Sequence, residues 1–552
     1  MADILLIQPP ICDFYLTAKR TIPYGLACIA AVLLEEGYSV EILDALASSR
    51  SKKVGLPPEM SFLKDFYRED ISPFSMFHNF RRFGLAADAI EERIRNCGAF
   101  LVGISSLFTA YSDEALRMAE AVKRVRPEAV VALGGHHPTE MPEQVLSHPC
   151  VDFIIRGEGE AAMVHLARAI HGEVSLESVP GIGFKTAGGK LFIKPPAILE
   201  NLDRVPLPAI ELIDNSFYQR RKRPGAVIAA GRGCPLGCSY CSIGCSSWSG
   251  FRMKSVHRVI EEMKRAIFGA GARFIDFEDE NISYHKMWFL DLLNRAALEF
   301  SGCDLELRAM NGLFPPTLDD EVICAMKAAG FTALNLALCT TSREQLKKFR
   351  RPDVRQEFEG ALLCAAKYGL DAVAYIIVGA PRQDPLDSVA DLLYLAEKTA
   401  IAGVSVFYPA PGSADFAKCA SLSLLPPALS LLRSTALPIS DTTTREDSIT
   451  LLRLGRILNF FKSLEAASRV EVLDLAKKHA TQTLREKVPV SRAAYGVDTH
   501  AAKRRAVGKT LLAIFLRDAV IYGAGPEGRL FRQRASDALC REFRSGLLKL
   551  FD

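Results

Sequence analysis

Over the first 160 residues short apolar runs alternate with longer stretches of helical periodicity. Ile4–Ile7 reads as a strand ending at Pro9-Pro10, and Leu26–Glu36 as a helix closed by Gly37, a residue that tolerates the left-handed C-terminal position. Val40–Leu43 is strand-like again and ends on Asp44. After an irregular stretch rich in Phe, Ser and Pro, Leu101–Ile104 reads as a buried strand. Ser112 is expected to cap the next helix, with Asp113 and Glu114 in its first turn, where acids favour the helix dipole, and Pro127 stops it. Val130–Leu133 follows, then Gly134-Gly135, and Phe153–Ile155 is expected to be the last strand. Such alternation predicts a parallel, doubly wound sheet that binds ligands beyond the carboxyl ends of its strands.

Residues 172–224 have little periodicity, carry Pro180, Pro195, Pro196, Pro206 and Pro208, and end in Arg220-Arg221-Lys222-Arg223-Pro224. They read as a connector. From 225 a second alternating series begins, with strand candidates Ala226–Ala230, Phe274–Phe277, Leu305–Ala309, Ala333–Leu338, Ala372–Val378 and Val404–Tyr408. Between the first two, Val256, Val259, Ile260, Met263 and Ile267 form a helical stripe that starts after Ser255 and ends at Gly269. Another helix is expected to start at Thr317, with Asp320 as its capping acid, and to end at Gly330. Six parallel strands with helices outside make a partial barrel with its active site at the strands' carboxyl ends. Beyond about 425 strands fade and helical patterns dominate, as in Leu451–Glu465 and Lys509–Val520. The expected division is 1–171, 172–224, 225–424 and 425–552.

Composition narrows this little. The 552 residues are 49% hydrophobic and 24% charged, ordinary for a globular protein, and the length suits three or four domains. A net charge of +4 gives no reason to expect a nucleic-acid partner, and the basic run before Pro224 lacks the aromatic interleaving such a surface would show. No apolar run approaches the roughly 18 residues that cross a bilayer. The start lacks a basic n-region, so a cytoplasmic protein without a transmembrane segment is expected.

The chain has fourteen cysteines, and in a reducing compartment a disulfide framework is not expected of them. Ten are scattered singly and read as small buried apolar residues. Cys234, Cys238, Cys241 and Cys245 instead fall within twelve residues, just after the first strand of the second series. Three thiolates spaced C-x3-C-x2-C, with glycines and a proline between them, can wrap one corner of an inorganic cluster. The fourth iron of a cubane then stays open to a ligand. Zinc is the competing reading; a closed zinc site needs four ligands, and Cys245 could supply the last.

This motif, with Tyr240 before its last cysteine and opening a β/α series, resembles the radical S-adenosylmethionine superfamily. Phe251-Arg252-Met253-Lys254-Ser255, the helix after it, and the strand ending in Glu278-Asp279-Glu280 follow the family's order. The resemblance implies a 4Fe-4S cluster on Cys234, Cys238 and Cys241, which cleaves S-adenosylmethionine reductively to a 5'-deoxyadenosyl radical. It makes Tyr240 a contact of that cofactor and places the acids Glu278, Asp279 and Glu280 near its methionine amino group. The segment Tyr375–Pro381, with Ile377 and Gly379, would lie along adenine, and Pro409–Ser413 resembles the sixth-strand loop. Where many relatives carry Gly-Ile-Glu-Ser, this chain reads Ala337-Leu338-Cys339-Thr340, so no ribose contact is carried over.

In the first domain, Ser105-Ser106-Leu107 follows one strand and, after twenty-six intervening residues, Gly134-Gly135 follows the next. A lone Gly-Gly is only a turn signal. The pair resembles the S-x-L and G-G elements of cobalamin-binding Rossmann-like domains, which implies that Ser105, Leu107, Gly134 and Gly135 make room for the nucleotide tail. Pro23-Tyr24-Gly25-Leu26 and Arg156-Gly157-Glu158-Gly159-Glu160 also look like this domain when it precedes a radical enzyme. The D-x-H-x-x-G loop that supplies a histidine to cobalt in many corrinoid proteins is absent, so cobalamin without a histidine lower ligand is expected.

Together these resemblances imply a cobalamin-binding radical S-adenosylmethionine enzyme. Methyl transfer to an unactivated carbon or phosphorus centre of a small-molecule or natural-product substrate leads. A non-methylating radical cyclase or rearrangement oxidoreductase, and a non-catalytic corrinoid-binding regulator, are the alternatives. An electron donor such as ferredoxin or flavodoxin is the expected partner. Arg308 and Asn311 are substrate-site candidates by position only.

Overall fold

The computed structural model describes residues 2–14, 21–245, 250–479, 481–486 and 497–550. The N-terminal sheet contains β1 (Ile4–Gln8), β2 (Val40–Asp44), β3 (Leu101–Ser105), β4 (Val130–Gly134), β5 (Phe153–Ile155), β6 (Ile182–Lys185) and β7 (Leu191–Ile193), in the spatial order 7-6-5-4-3-1-2. The first five are parallel; β6 and β7 add on antiparallel. Alternate residues of β1 enter different cores: Ile4 and Leu6 pack in one, Leu5 and Ile7 in the other. This is how a parallel sheet covered by helices on both faces reads as a continuous apolar run.

Two expectations are corrected here. Phe153–Ile155 is not the last strand, because the hairpin of β6 and β7 extends the sheet into the stretch read as a connector. Its strands are only four and three residues long, too short for an alternation to be detected. Nor does Ser112 cap its helix: it is the first residue of Ser112–Val125, and Tyr111 holds the cap position without a side-chain bond.

The second unit starts with β8 (Arg223–Ile228), β9 (Phe274–Phe277) and β10 (Glu306–Arg308), and continues with β11 (Ala333–Cys339), β12 (Asp371–Val378) and β13 (Ile401–Val406). Bridges Leu307 to Phe331 and Leu313 to Leu336 join the two sheets. The result is an open six-stranded parallel barrel with a short antiparallel strand, Gln219–Arg220, beside β8. Ser255 caps the helix Val256–Lys264 as expected, accepting from the Arg258 amide at 3.2 Å. The helix expected from Thr317 instead runs Asp320–Ala329 and is capped by Asp319, whose carboxylate takes the Val322 amide at 3.0 Å.

The barrel's free edge is blunted by a side chain. Asn459, on helix Arg445–Lys462, accepts from the Ala402 amide and donates to the Ala402 carbonyl, both at 2.9 Å. An amide group thus takes the place a seventh strand would fill. The C-terminal region is helical, but a hairpin, Tyr522–Ala524 with Leu530–Arg532, corrects the expectation that strands fade there. Buried Arg453 donates to the Phe66 carbonyl at 2.7 Å and to Gln533 at 2.9 Å, fixing this region to the irregular stretch before residue 80.

Candidate active site

The cysteine loop leaves the carboxyl end of β8 through a clamp. Gly231-Arg232 pairs antiparallel with Arg252-Met253, so the loop hangs between two arginines. A Cβ on Gly231 would lie 2.4 Å from the Met253 sulfur, which restricts the position to glycine. Asp279 closes the clamp from β9: its carboxylate accepts from the Ala230 amide at 3.0 Å and from the Gly231 amide at 2.6 Å. Burial pushes that carboxyl up to about 7, against the pull of those amides.

Within the loop Cys238 is buried, while Cys234 and Cys241 are half-buried. Ser239 ties the loop to two distant elements. Its amide donates to the Phe349 carbonyl at 3.1 Å, and its hydroxyl to Asp415 at 2.9 Å. The Tyr240 ring packs edge-on against Phe349 at 5.1 Å, in an apolar group shared with Ile377 and Cys339. Cys339 is buried at the bulge of β11, with φ +73 and its thiol 3.9 Å from the Tyr240 hydroxyl; burial raises that thiol to about 12. The Cys245 side chain lies outside the described residues.

The three acids at the end of β9 separate by position. Asp279 is used by the clamp. Glu280 is half-buried, with its carboxyl raised to about 7, first by burial, while Arg232 and the Gly233 amide favour the charged form. Glu278 is also half-buried, and its carbonyl accepts from Asn311 at 2.9 Å. Asn311 also reaches the Asp279 carbonyl, so it braces the acidic strand end. Arg308, at the end of β10, donates to Asn335 on the neighbouring β11 at 3.4 Å. Gly379 has φ +77 and lies under Ser448 and Thr443, on the side of the C-terminal helix.

Two side chains here escaped sequence reading. Arg351 places a guanidinium nitrogen 3.7 Å from the Cys238 sulfur and donates to the Ala337 carbonyl at 3.1 Å. Asn281 is buried, with its side-chain oxygen unpartnered, beside Cys234. Arg351 follows the short helix Arg343–Phe349 in a basic run, and nothing in the run's spacing marks the cation that turns inward.

The residues fit the cluster implied above. Among the described residues no three His, Cys, Asp or Glu side chains converge as a single ion would require. In a cubane each thiolate binds a different iron, so its ligands stand apart. An orphaned acceptor at Asn281 and a cation at Arg351 offer complements for the ammonium and carboxylate of an amino acid.

The N-terminal sheet presents its own edge. Ser105 and Gly134 stand side by side in register at the ends of β3 and β4. Gly135 has φ +114, and a Cβ there would meet the Ser106 carbonyl at 2.7 Å; a Cβ on Gly134 would meet nothing closer than 3.8 Å. Leu107 and Phe108 are 43% and 51% exposed, whereas the Ser106 hydroxyl is buried without a partner. Apolar surface and an unsatisfied polar group at one strand end fit a large amphiphilic ligand. His137 is buried, its Nδ1 3.3 Å from the Thr109 hydroxyl, and burial lowers its imidazole to about 4.

The two edges are joined. Arg232 donates to Glu160 and lies 3.5 Å from Glu158, while Arg252 reaches Glu158 at 2.7 Å. Tyr24 donates to Glu262 at 2.7 Å, and Lys254 reaches both Tyr24, at 2.9 Å, and Glu262, at 2.6 Å. The four motifs around Tyr24, Glu158, Arg232 and Lys254 thus meet in two neighbouring clusters between sheet and barrel.

Fold and site define a radical S-adenosylmethionine barrel behind a B12-binding sheet. Two family models agree: "B12 binding domain" matches residues 76–167 and "Radical SAM superfamily" residues 228–393. The chain thus carries a B12-binding domain followed by a radical S-adenosylmethionine domain, and the cofactors that such domains take are cobalamin, S-adenosylmethionine and a 4Fe-4S cluster. It is 28% identical over 419 residues to an uncharacterized methyltransferase of Pyrococcus horikoshii, covering 74% of this chain and 81% of that one. It is 25% identical to the cytidylyl-2-hydroxyethylphosphonate methyltransferase of Streptomyces wedmorensis, covering 78% and 84%. An anaerobic magnesium-protoporphyrin IX monomethyl ester cyclase of Rubrivivax gelatinosus is 28% identical over 53% of this chain and 54% of its own. Among solved structures, the cobalamin-dependent radical enzyme OxsB superposes with TM-score 0.63 at 12% identity, over 94% of this chain and 72% of that one. The methyltransferase TsrM of Kitasatospora setae does so with 0.57 at 18%, over 76% and 75%. At these identities the likeness is one of fold.

Proposed function

We propose that this chain is a methyltransferase acting on an unactivated carbon or phosphorus centre of a small molecule. The observation that carries the reading is the arginine–glutamate network, which sets the cysteine loop against the cobalamin-binding edge. The curated methyltransferases named above also align over more of the chain than the cyclase does. When bound, the cofactors supply a 5'-deoxyadenosyl radical and a cobalt-borne methyl group.

The chain's own residues position and shield these groups. Cys234, Cys238 and Cys241 hold three irons, and Ser239, anchored by Phe349 and Asp415, keeps the loop closed over them. Glu280 and Asn281 take the ammonium of S-adenosylmethionine and Arg351 its carboxylate. Tyr240 and Ile377 line the adenosyl side, with Glu278 at its rim. Gly379 is assigned there as well, through its backbone. Ser105, Leu107, Gly134 and Gly135 would receive the corrinoid, and buried His137, whose Nδ1 faces the Thr109 hydroxyl, would not serve as its ligand. Among the described residues no helix is long and apolar enough to cross a membrane, and we place the enzyme in the cytoplasm, reduced by a one-electron carrier. Mass spectrometry of anaerobic reactions fed methyl-labelled S-adenosylmethionine and candidate metabolites tests this. A product heavier by one labelled methyl, with 5'-deoxyadenosine, is expected; a demethylated or cyclised product without the label would overturn methyl transfer.

A further inference from the structure

A basic segment flanks the cysteine loop, one of several in the chain, Arg220–Arg223 among them. Residues 343–355 carry six cations (Arg343, Lys347, Lys348, Arg350, Arg351 and Arg355) against two acids, Glu344 and Asp353, an excess equal to the chain's whole net charge of +4. Glu344 engages Lys348 at 2.8 Å, and Asp353 engages Arg355 at 2.5 Å. Lys347 and Arg350 are exposed and have no ion-pair partner among the described residues. Exposed Arg382 borders the segment, its carbonyl accepting from Lys348 at 2.7 Å and its guanidinium 4.0 Å from Asp441.

The inner side of this segment is the wall of the cysteine loop. Phe349 gives its carbonyl to the Ser239 amide at 3.1 Å and its ring to Tyr240, and Arg351 turns inward to Cys238. Lys347 and Arg350 therefore stand on the outer face of residues whose inner face touches a cluster ligand. On its other flank the loop is bracketed by Arg232 and Arg252, which are committed to the N-terminal sheet. An isolated basic helix is usually a solvated surface. Here, backbone continuity with the cluster loop and two unpaired cations set it apart.

We propose that residues 343–355 form the docking face for an acidic one-electron carrier protein of the flavodoxin kind, with Lys347 and Arg350 as its main contacts. The inference rests on the radical S-adenosylmethionine reading, because reductive cleavage consumes one electron that no group of this chain supplies. In the step, the carrier is oxidised by one electron and the cluster passes from its 2+ to its 1+ state; no bond forms or breaks and no proton moves. Complementary charge accelerates such encounters and makes them sensitive to salt. Oligonucleotide binding is the less favoured alternative, since the only aromatic of the segment, Phe349, is buried.

The test uses the full chain, reconstituted anaerobically, and reduced flavodoxin. In Lys347→Glu/Arg350→Glu, cluster reduction followed by stopped-flow bleaching should slow at least about tenfold, while reduction by dithionite is unchanged. Calorimetric titration with oxidised flavodoxin should show binding at about 50 mM salt that weakens at about 300 mM and is absent in the variant. Lys477→Glu/Lys478→Glu, on an exposed helix end, should change neither. The milder Arg350→Gln should give an intermediate slowing with normal iron content. Equal flavodoxin rates in variant and wild type, equal slowing with dithionite, or a variant defect confined to oligonucleotide binding would each overturn the docking face. Failure of the underlying reading would instead appear as wild-type protein whose iron dithionite cannot reduce, and the titration decides docking independently of that.

Discussion

Arg232, two residues before the first cysteine of the loop, donates to Glu160, the first acid of the helix that follows β5, with only 24% and 5% of the two side chains exposed. Seventy-two residues separate them in the chain, yet they fix the distance between cluster and corrinoid edges. Removing one partner from a buried pair leaves an uncompensated charge, at about 3–5 kcal/mol. Arg232→Gln should lower unfolding stability by an amount of that order, and Arg232→Gln/Glu160→Gln should recover part of it. Additive losses in urea titrations of the two single variants and the double variant would refute the coupling.

Replacing Cys234, Cys238 and Cys241 together by alanine should abolish iron binding after anaerobic reconstitution, together with the brown absorption and 5'-deoxyadenosine formation. Cys245→Ala should keep the iron, because three thiolates suffice. Iron loss in Cys245→Ala would indicate a four-thiolate site.

The acids at the end of β9 should respond differently. Glu280→Gln should weaken S-adenosylmethionine binding about tenfold or more while leaving folding intact, since a charge-assisted bond is about twice as strong as a neutral one. Asp279→Asn should destabilise the fold, as an amide cannot accept from the Ala230 and Gly231 amides with both of its side-chain heavy atoms. Isothermal titration and thermal melts on each variant distinguish the two; an intact melt in Asp279→Asn would contradict its role as the clamp.

Gly134→Val should fold, since the position offers open space and β-branched residues suit strand ends, yet lose corrinoid because the side chain occupies the ligand's place. Gly135→Ala should instead cost about 1–3 kcal/mol of stability through its positive φ and the Ser106 carbonyl. Paramagnetic resonance of the Co(II) form of the wild type should show no splitting from an axial nitrogen. Corrinoid retention by Gly134→Val, or a nitrogen triplet in the wild type, would count against the site.

Asp44, which accepts from Tyr218, is raised from its ordinary 3.8 to about 6, chiefly by burial, against the bonds from Tyr218, Leu46 and Ala47. The folded protein holds this proton longer than the unfolded chain does. Its contribution is therefore fully present below about pH 4 and is lost as pH rises toward 6, by up to about 1.4 kcal/mol per unit. The stability difference between wild type and Asp44→Asn should change with that slope and level off above pH 6. A flat difference across the range would show that the carboxyl titrates normally.

The sequence alone determined the order of the two α/β units, most strand positions and the cysteine motif, because these rest on local information: side-chain periodicity, turn residues and ligand spacing. It missed the hairpin of β6 and β7 and misplaced the caps at Ser112 and Thr317, where short strands and neighbouring polar residues leave the local signal ambiguous. Only the tertiary structure separated the adjacent acids Asp279 and Glu280, since their roles depend on which one meets the Ala230 and Gly231 amides from another strand. Only it turned Arg351 toward Cys238, 113 residues away, and brought Tyr24 to Glu262 across 238 residues. Such pairings are set by how two separately formed units pack against each other, and no periodicity within either unit encodes them.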